Sequence, residues 1–475
     1  MPKVRQPAML QKMALDAIYE YVFLCCDRTS IEDSLDELNQ VISAIKKDVI
    51  SRMPWFSVAD FLAKFLEQFY SDSRPAAHLK VALEVVMDTE IVGLQCKGPI
   101  LAYLDPQDGP RLRRLAELDL DYISHSIPLN LHNFHLDDLT TFVFAERCTD
   151  LDLSVVGRNC TKLQVVRVPD SRRVTDEGLS TLSQCSDLRF VDVRRCSVTY
   201  NGINRMLSVH KKLDRITDVS AETLSHLDSS VCPSICHFAS RPDDPISSAH
   251  LRKIVSKFPN ITYLQLEGVI TEELSILKSL NKLNGLDLTF SSGMFYDEIE
   301  ATWACIKELL TFNGVNLTTL KLACWDQGVF WRQEDLDFIF DSCPNLECLK
   351  FDHGDGLVIV PSFQKLKVLI PHIAIEFESI EILDDPVIEF DKLPNLETLS
   401  LHNYDVSFPI IESIMLDNVK FPKLSVIETI CMKNEDLEEI RRIARIKNLE
   451  FEIKNDPCSN WYNNYRFNTS SSSSP

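Results

Sequence analysis

A period of 24 or 25 residues constrains this chain more than any other feature. Cys160, Leu163, Val166 and Val168 are matched 25 residues on by Cys185, Leu188, Val191 and Val193, and His210, Leu213 and Ile216 follow after another 25. Each block reads L-x-x-L-x-L, so its apolar side chains alternate like those of a short strand with one buried face. Between the strands, Thr175 before Asp176, Glu177, Gly178 and Leu179 and Thr199 before Tyr200, Asn201, Gly202 and Ile203 hold one place in the period. A hydroxyl there accepts from the N–H groups of a first helical turn, predicting a helix that runs to the next Cys or His.

The period extends in both directions. Upstream lie Ile91/Leu94/Cys96, Leu115/Leu118/Leu120 and Leu139/Phe142/Phe144, and downstream Ile235/Phe238, Ile261/Leu264/Leu266, Leu283/Leu286/Leu288 and Leu317/Leu320/Leu322. Leu346/Leu349/Phe351, Leu366/Leu369, Leu396/Leu399/Leu401 and Leu424/Ile427 follow, and Leu449/Phe451/Ile453 closes the series. Spacing drifts from 20 to 34 in the second half. Pro259-Asn260, Pro344-Asn345 and Pro394-Asn395 stand just before strands, where proline ends a helix and starts extended chain.

This array resembles the leucine-rich repeats, and residues 160–207 resemble their cysteine-containing subclass through Cys185, Leu188, Val191, Val193, Cys196 and Gly202. The resemblance implies an α/β fold: a leucine-rich-repeat solenoid (horseshoe) over 88–454, preceded by a small all-helical module at 1–87 and followed by a polar tail at 455–475. One strand–helix unit cannot bury its own apolar face, so neighbours must stack into a continuous core. The strands would line a concave parallel sheet and the helices its convex side.

Residues 1–87 break the period. Leu10, Met13, Ala14, Ala17, Ile18, Tyr21 and Val22 have helical spacing, as do Ile31 to Val49 behind a capping box at Thr29 and Glu32. Phe61, Leu62, Phe65, Leu66 and Phe69 outline a third helix. Such a head can simply cap the first repeat, whose core would otherwise face water.

The head also resembles the adaptor-binding boxes of substrate receptors in cullin–RING ubiquitin ligases. Leu10, Ala14 and Ile18 resemble an elongin-binding box with alanine in place of its usual cysteine, and Pro54, Trp55 and Phe56 resemble the opening of a cullin box. A helix lying in an apolar groove needs one protruding anchor, Leu10, and a small residue one turn on, Ala14. An F-box head, which docks on Skp-type adaptors, opens with Leu-Pro, and no such opening precedes residue 26. The implied partners are elongins B and C with a cullin, or a Skp-type adaptor, together with a protein substrate.

Strand alternation points the residues between the leucines out of the concave sheet. Arg167, Phe190, Arg194 and Arg215 are expected to stack as a basic patch, with Tyr263, Lys321, Lys350, Asp352 and Ser400 further along the face. Arginine and aromatic side chains are the usual anchors of protein interfaces. Glu376 to Asp405, rich in acids, reads as a solvated loop between repeats.

The charge, −21 with 49 basic and 70 acidic side chains, argues against nucleic acid or an anionic membrane as a partner. Fifteen cysteines include no C-x-x-C pair, which predicts free buried thiols rather than metal sites or disulfides. The opening residues carry no secretory apolar core, so a reducing compartment, cytoplasm or nucleus, is expected. P-loop, dinucleotide, zinc-protease and serine-hydrolase signatures are absent, so no catalytic residue, cofactor or metal is expected. The tail, from Asn455 through Trp461 to five serines and Pro475, reads as frayed.

Overall fold

The computed structural model describes residues 94–95, 116–120, 136–228, 232–241, 244, 246–269, 274–290, 296–324, 332–353, 358–373, 388–401, 408–417, 419–430 and 452–456, with isolated positions at 43, 47, 131, 438–439 and 442–443. The chain divides into two compact units, Met1–Asp218 and Val219–Pro475. In each, the repeats form a leucine-rich-repeat solenoid of mixed α/β character, with parallel strands alternating with helices.

The first unit carries β1 (Leu94–Gln95), β2 (Glu117–Asp119), β3 (Thr141–Val143), β4 (Val165–Arg167), β5 (Phe190–Asp192) and β6 (Arg215–Val219, whose last residue opens the second unit). Each pairs in parallel with the next, and the register puts equivalent leucine positions side by side: Leu94 on Leu118, Leu118 on Phe142, Phe142 on Val166, Val166 on Val191 and Val191 on Ile216. Leu118, Phe142, Val166, Val191 and Ile216 are buried, as are the flanking Leu139, Leu163, Leu188 and Leu213. Burying one such side chain stabilises by about 2 kcal/mol.

The helices are α1 (Asp150–Asn159), α2 (Asp176–Thr181) and α3 (Tyr200–Val209). Thr149, Thr175 and Thr199 are their N-caps, each accepting from a first-turn N–H, and Cys160 and His210 are the C-caps of α1 and α3. A short 3-10 turn carries α2 on to Cys185. These buried Cys and His residues link helix to strand: the Cys185 N–H donates to Leu182 O at 2.8 Å, and the Leu188 N–H donates to Cys185 O at 3.1 Å. The Cys185 Sγ–H reaches the Cys160 carbonyl at 3.3 Å, tying one repeat to the one before it. Burial pushes these thiols up, Cys160 to about 12 and Cys185 to about 11. Within the described residues every cysteine is a free thiol.

The glycines of the period answer to a carboxylate ladder. Asp150, in the first turn of α1, accepts from the Thr175 N–H at 2.8 Å, the Thr175 hydroxyl at 2.7 Å and the Gly178 N–H at 3.1 Å. One repeat on, Asp176 accepts from the N–H and hydroxyl of Thr199 at 2.7 and 2.6 Å. A Cβ on Gly178 would stand 2.2 Å from the Asp150 Oδ1, and one on Gly202 would stand 2.3 Å from the Asp176 Oδ1. Only glycine admits so close an approach.

The second unit carries β7 (His237–Ser240), β8 (Tyr263–Val269), β9 (Gly285–Phe290), β10 (Thr319–Cys324), β11 (Cys348–His353), β12 (Val358–Val360), β13 (Val368–Ile373), β14 (Ile388–Phe390), β15 (Thr398–Leu401), β16 (Val426–Ile430) and β17 (Glu452–Asp456). Its helices are α4 (Ala221–His226), α5 (Ser248–Lys257), α6 (Tyr296–Asn313), α7 (Gln333–Ser342) and α8 (Phe408–Leu416). The parallel order runs β7-β8-β9-β10-β11-β13-β15-β16-β17, again leucine beside leucine: Leu264, Leu286, Leu320, Leu349, Leu369, Leu399 and Ile427. Ile453 takes the central place opposite Ile427, not the last place in its block.

The uneven spacing of the second half has a local cause. The 34-residue step from Leu283 to Leu317 holds α6, which is 18 residues long. The 20-residue step from Leu346 to Leu366 holds no described helix; there β12 pairs with β14 as a separate two-stranded parallel sheet. A strand rises about 3.3 Å per residue against 1.5 Å for a helix, so the crossover shortens without losing its reach. The Pro-Asn punctuation also acquires a function. The Asn260, Asn345 and Asn395 amides donate to the carbonyls of Pro233, Val315 and Gln364 at 2.9, 2.7 and 2.6 Å, each in the preceding repeat.

Two outcomes test this packing. Gly178→Ala should lower stability by about 1–3 kcal/mol in urea melts, because the new methyl must displace the Asp150 carboxylate. The exposed Ser186→Ala control should stay within about 0.5 kcal/mol, and equal effects would contradict the ladder. The second outcome concerns alkaline pH. A thiol whose folded pKa lies above its unfolded value favours the folded state fully below about pH 9, and that contribution is lost as pH rises towards 11 or 12. Stability should therefore fall between pH 9 and 11, and less steeply in Cys160→Ala, by up to about 1.4 kcal/mol per pH unit. Parallel slopes would refute the assignment.

Candidate protein-binding face

In the first unit one carboxylate organises the outward face. Register sets Phe190 between Val165 and Arg215, and Asp192 beside Arg167. The Arg194 Nε and Nη2 donate to the two Asp192 oxygens at 2.9 Å each, and its backbone N–H donates to Oδ1 at 3.2 Å. The Arg167 Nε lies 3.8 Å from Asp192 Oδ2. Two guanidinium groups therefore cover Asp192, which is 2% exposed. The hydrogen bond to Asp192 holds the Arg194 guanidinium above its usual range. The Arg215 guanidinium lies over the Phe190 ring, 5.0 Å from its centroid, a cation–π contact.

The expected stack of three arginines on consecutive strands does not form. Arg194 lies beyond the end of β5, in the turn, because the strand stops at Asp192. Arg167 and Arg215 stand in different rows, since the register places Asp192 and not an arginine beside Arg167. Beside the patch the backbone is left-handed at non-glycine residues, with φ of 59° at Asp170 and 55° at Arg195 in turns and 58° at Asp218 near the end of β6. Such conformations cost on the order of 1 kcal/mol or more and persist only where surroundings enforce them. Here the Asp170 N–H donates to Arg194 O at 2.7 Å and the Arg195 N–H to Asp218 Oδ2 at 3.0 Å.

The second unit has its own cluster. Tyr263 lies between His237 and Gly285, and Asp287 between Gln265 and Lys321, which neighbours Lys350. The Tyr263 hydroxyl donates to Asp287 Oδ2 at 3.2 Å, and Lys321 Nζ lies 3.3 Å from the same oxygen. Burial raises the Tyr263 phenol. Burial opposes the Lys321 charge, but Asp287 and Tyr263 outweigh it and hold the ammonium above its usual value. The His237 and Tyr263 rings stack at 5.9 Å. Gly285 makes room for the ring: a Cβ there would lie 2.3 Å from Tyr263 Cδ2.

Neither Asp287 nor Gly285 stood among the sequence candidates. The available signals were a carboxylate between two strand leucines and a glycine inside a strand, which often marks close approach of another group. Asp352 and Ser400, expected to point into solvent, are instead buried, each 1% exposed. Leu10, Ala14, Ile18, Pro54, Trp55 and Phe56 lie outside the described residues, as do most of the acid-rich segment and the tail beyond Asp456. Of that segment, Glu389, Asp391 and Glu397 are described and exposed. Among the described residues no three His, Cys, Asp or Glu side chains are placed to hold a metal ion, and no helix is long and apolar enough to cross a membrane.

Repeat chemistry and strand register define a leucine-rich-repeat fold. No protein-family model matches the chain, and no curated protein matches it. Among solved structures it is similar to a chain of the Rad7 and Elc1 complex in yeast, at 12% identity over 89% of this chain and 93% of that one, with a TM-score of 0.43. It is also similar to an internalin from Listeria monocytogenes, at 14% identity over 69% of this chain and 94% of that one, TM-score 0.34. A leucine-rich-repeat protein of Leptospira interrogans shows 15% identity over 78% and 97%, TM-score 0.33.

Asp192→Ala should release both arginines and the Arg194 N–H. The guanidinium groups are nearly half exposed and can turn to water, so the expected cost is only about 1–2 kcal/mol in urea melts. Unchanged stability would mean that Asp192 does not organise the patch.

Proposed function

We propose that this protein is the substrate-recognition subunit of a cullin–RING ubiquitin ligase, acting in the cytoplasm or nucleus. The strand face holds a protein substrate and the N-terminal segment holds the adaptor. The observation that carries the first half is the outward side of the strands in each unit: arginine and aromatic side chains around Asp192 in the first, and lysine and tyrosine held by Asp287 in the second. Preorganised side chains of these types bind proteins with little ordering cost. The second half is supported by sequence order, in which Leu10-x-x-x-Ala14-x-x-x-Ile18 and then Pro54-Trp55-Phe56 precede the repeats. The protein works by binding, and the chemistry of ubiquitin transfer belongs to its partners.

Affinity purification of the full chain from cell extract tests the reading. Elongins B and C should be recovered at stoichiometric level and lost in Leu10→Asp, since a carboxylate cannot enter an apolar groove. Stoichiometric recovery of a Skp-type adaptor would replace the elongin box by an F-box function. Recovery of neither would leave a leucine-rich-repeat scaffold or inhibitor whose head is a cap.

A further inference from the structure

The first unit is unevenly charged in a way the whole chain conceals. Residues 158–215 carry twelve Lys and Arg against six Asp and Glu, a net +6 within a protein of −21. Many of these charges are spent on neighbours: Arg195 pairs with Asp170 at 3.3 Å, Arg189 with Asp214 at 3.9 Å and Lys212 with Asp187. On the strand face the balance differs. Arg167 and Arg194 share the buried Asp192, with Asp218 and Asp170 also acting on Arg194, while Arg215 lies over Phe190 and has no ion pair among the described residues. Arg167 and Arg194 keep 44% and 46% of their side chains exposed, with Nη groups left to donate after Asp192 is satisfied.

We propose that this face binds an extended acidic segment of a protein partner, whose carboxylates are received by Arg167, Arg194 and Arg215. The proposal rests on reading the strand face as the partner surface. Arg167 and Arg215 lie two strands apart and one two-residue step out of row, which places them about 12 Å apart. An extended peptide presents residues i and i+4 on one side about 13 Å apart, with i+2 between them. A segment with acids at positions i and i+4 therefore spans Arg167 and Arg215, while Arg194, in the turn after β5, stands to one side of that line. Planar guanidinium groups favour such carboxylates with paired hydrogen bonds. At physiological salt, charges beyond about 8 Å are screened, so the exposed guanidinium groups act on a docked segment more strongly than the distant acidic surface does.

Fluorescence anisotropy of the full chain with a labelled decapeptide of alternating Glu and Ser, at about 150 mM salt, tests this. Binding should be at least tenfold tighter than for the Gln–Ser peptide. It should weaken at least fivefold in Arg167→Glu and in Arg215→Glu, and be unchanged by Arg158→Glu on α1. If a Glu variant fails to fold, as judged by circular dichroism, Arg215→Gln carries the test in its place. Equal binding of the Glu and Gln peptides, or patch variants that bind like wild type, overturns the proposal. A phosphoserine–serine peptide bound tenfold more tightly than the Glu peptide overturns the carboxylate assignment. Self-association in sedimentation that disappears in Arg215→Glu overturns it in favour of a second copy. Loss of adaptor recovery sinks the ligase function without touching these outcomes, whereas a failed peptide test with the adaptor still bound sinks only this proposal.

Discussion

Three-residue strands are too short to hold themselves, and everything else in this protein follows from how they are held. Each strand of the first unit pairs through a few backbone bonds with the next, so its stability is borrowed from its neighbours. Leucine beside leucine supplies the apolar half of that dependence. The polar half is a set of ladders crossing from one repeat to the next: Asp150 to Thr175 and Gly178, Asp176 to Thr199, Cys185 to Cys160, Asn260 to Pro233. They satisfy backbone groups that stacking would otherwise bury without partners.

The same geometry builds the outward face. Because neighbouring strands stay in register, outward residues form rows, and a side chain's neighbours are set by the period and not by sequence proximity. Asp192 and Asp287 both use this arrangement: each lies beside a cationic side chain of the neighbouring strand and draws it onto itself. A rigid acid thus fixes flexible arginine and lysine side chains before any partner arrives, which lowers the ordering cost of binding. The order of this surface comes from the stacked core beneath it.

Much of the fold was legible in the sequence because the period is local. The strands of the long parallel series fall on the predicted blocks, β17 out of place within its own, and Thr175, Thr199, Cys160 and His210 cap helices as their types suggest. The two-stranded sheet of β12 and β14 was not legible, since short apolar segments such as Val358–Val360 have no period to betray their partner. The face was legible only in part. Alternation told which side Arg167, Phe190 and Arg215 occupy, yet register decided that Asp192 lies beside Arg167, and the length of β5 decided that Arg194 falls in the turn.

By itself the sequence determined the repeat, its caps, its buried thiols and the side of the sheet each residue takes, because these depend on spacing along the chain and on side-chain type. Only the tertiary structure decided which charges meet. Residues 20 to 34 positions apart become neighbours across parallel strands, and a one-residue change of register would hand Asp192 or Asp287 to different partners. Gly178, Gly202 and Gly285 show the same division: their presence is written in the sequence, while the carboxylate or ring that excludes a Cβ arrives from another repeat.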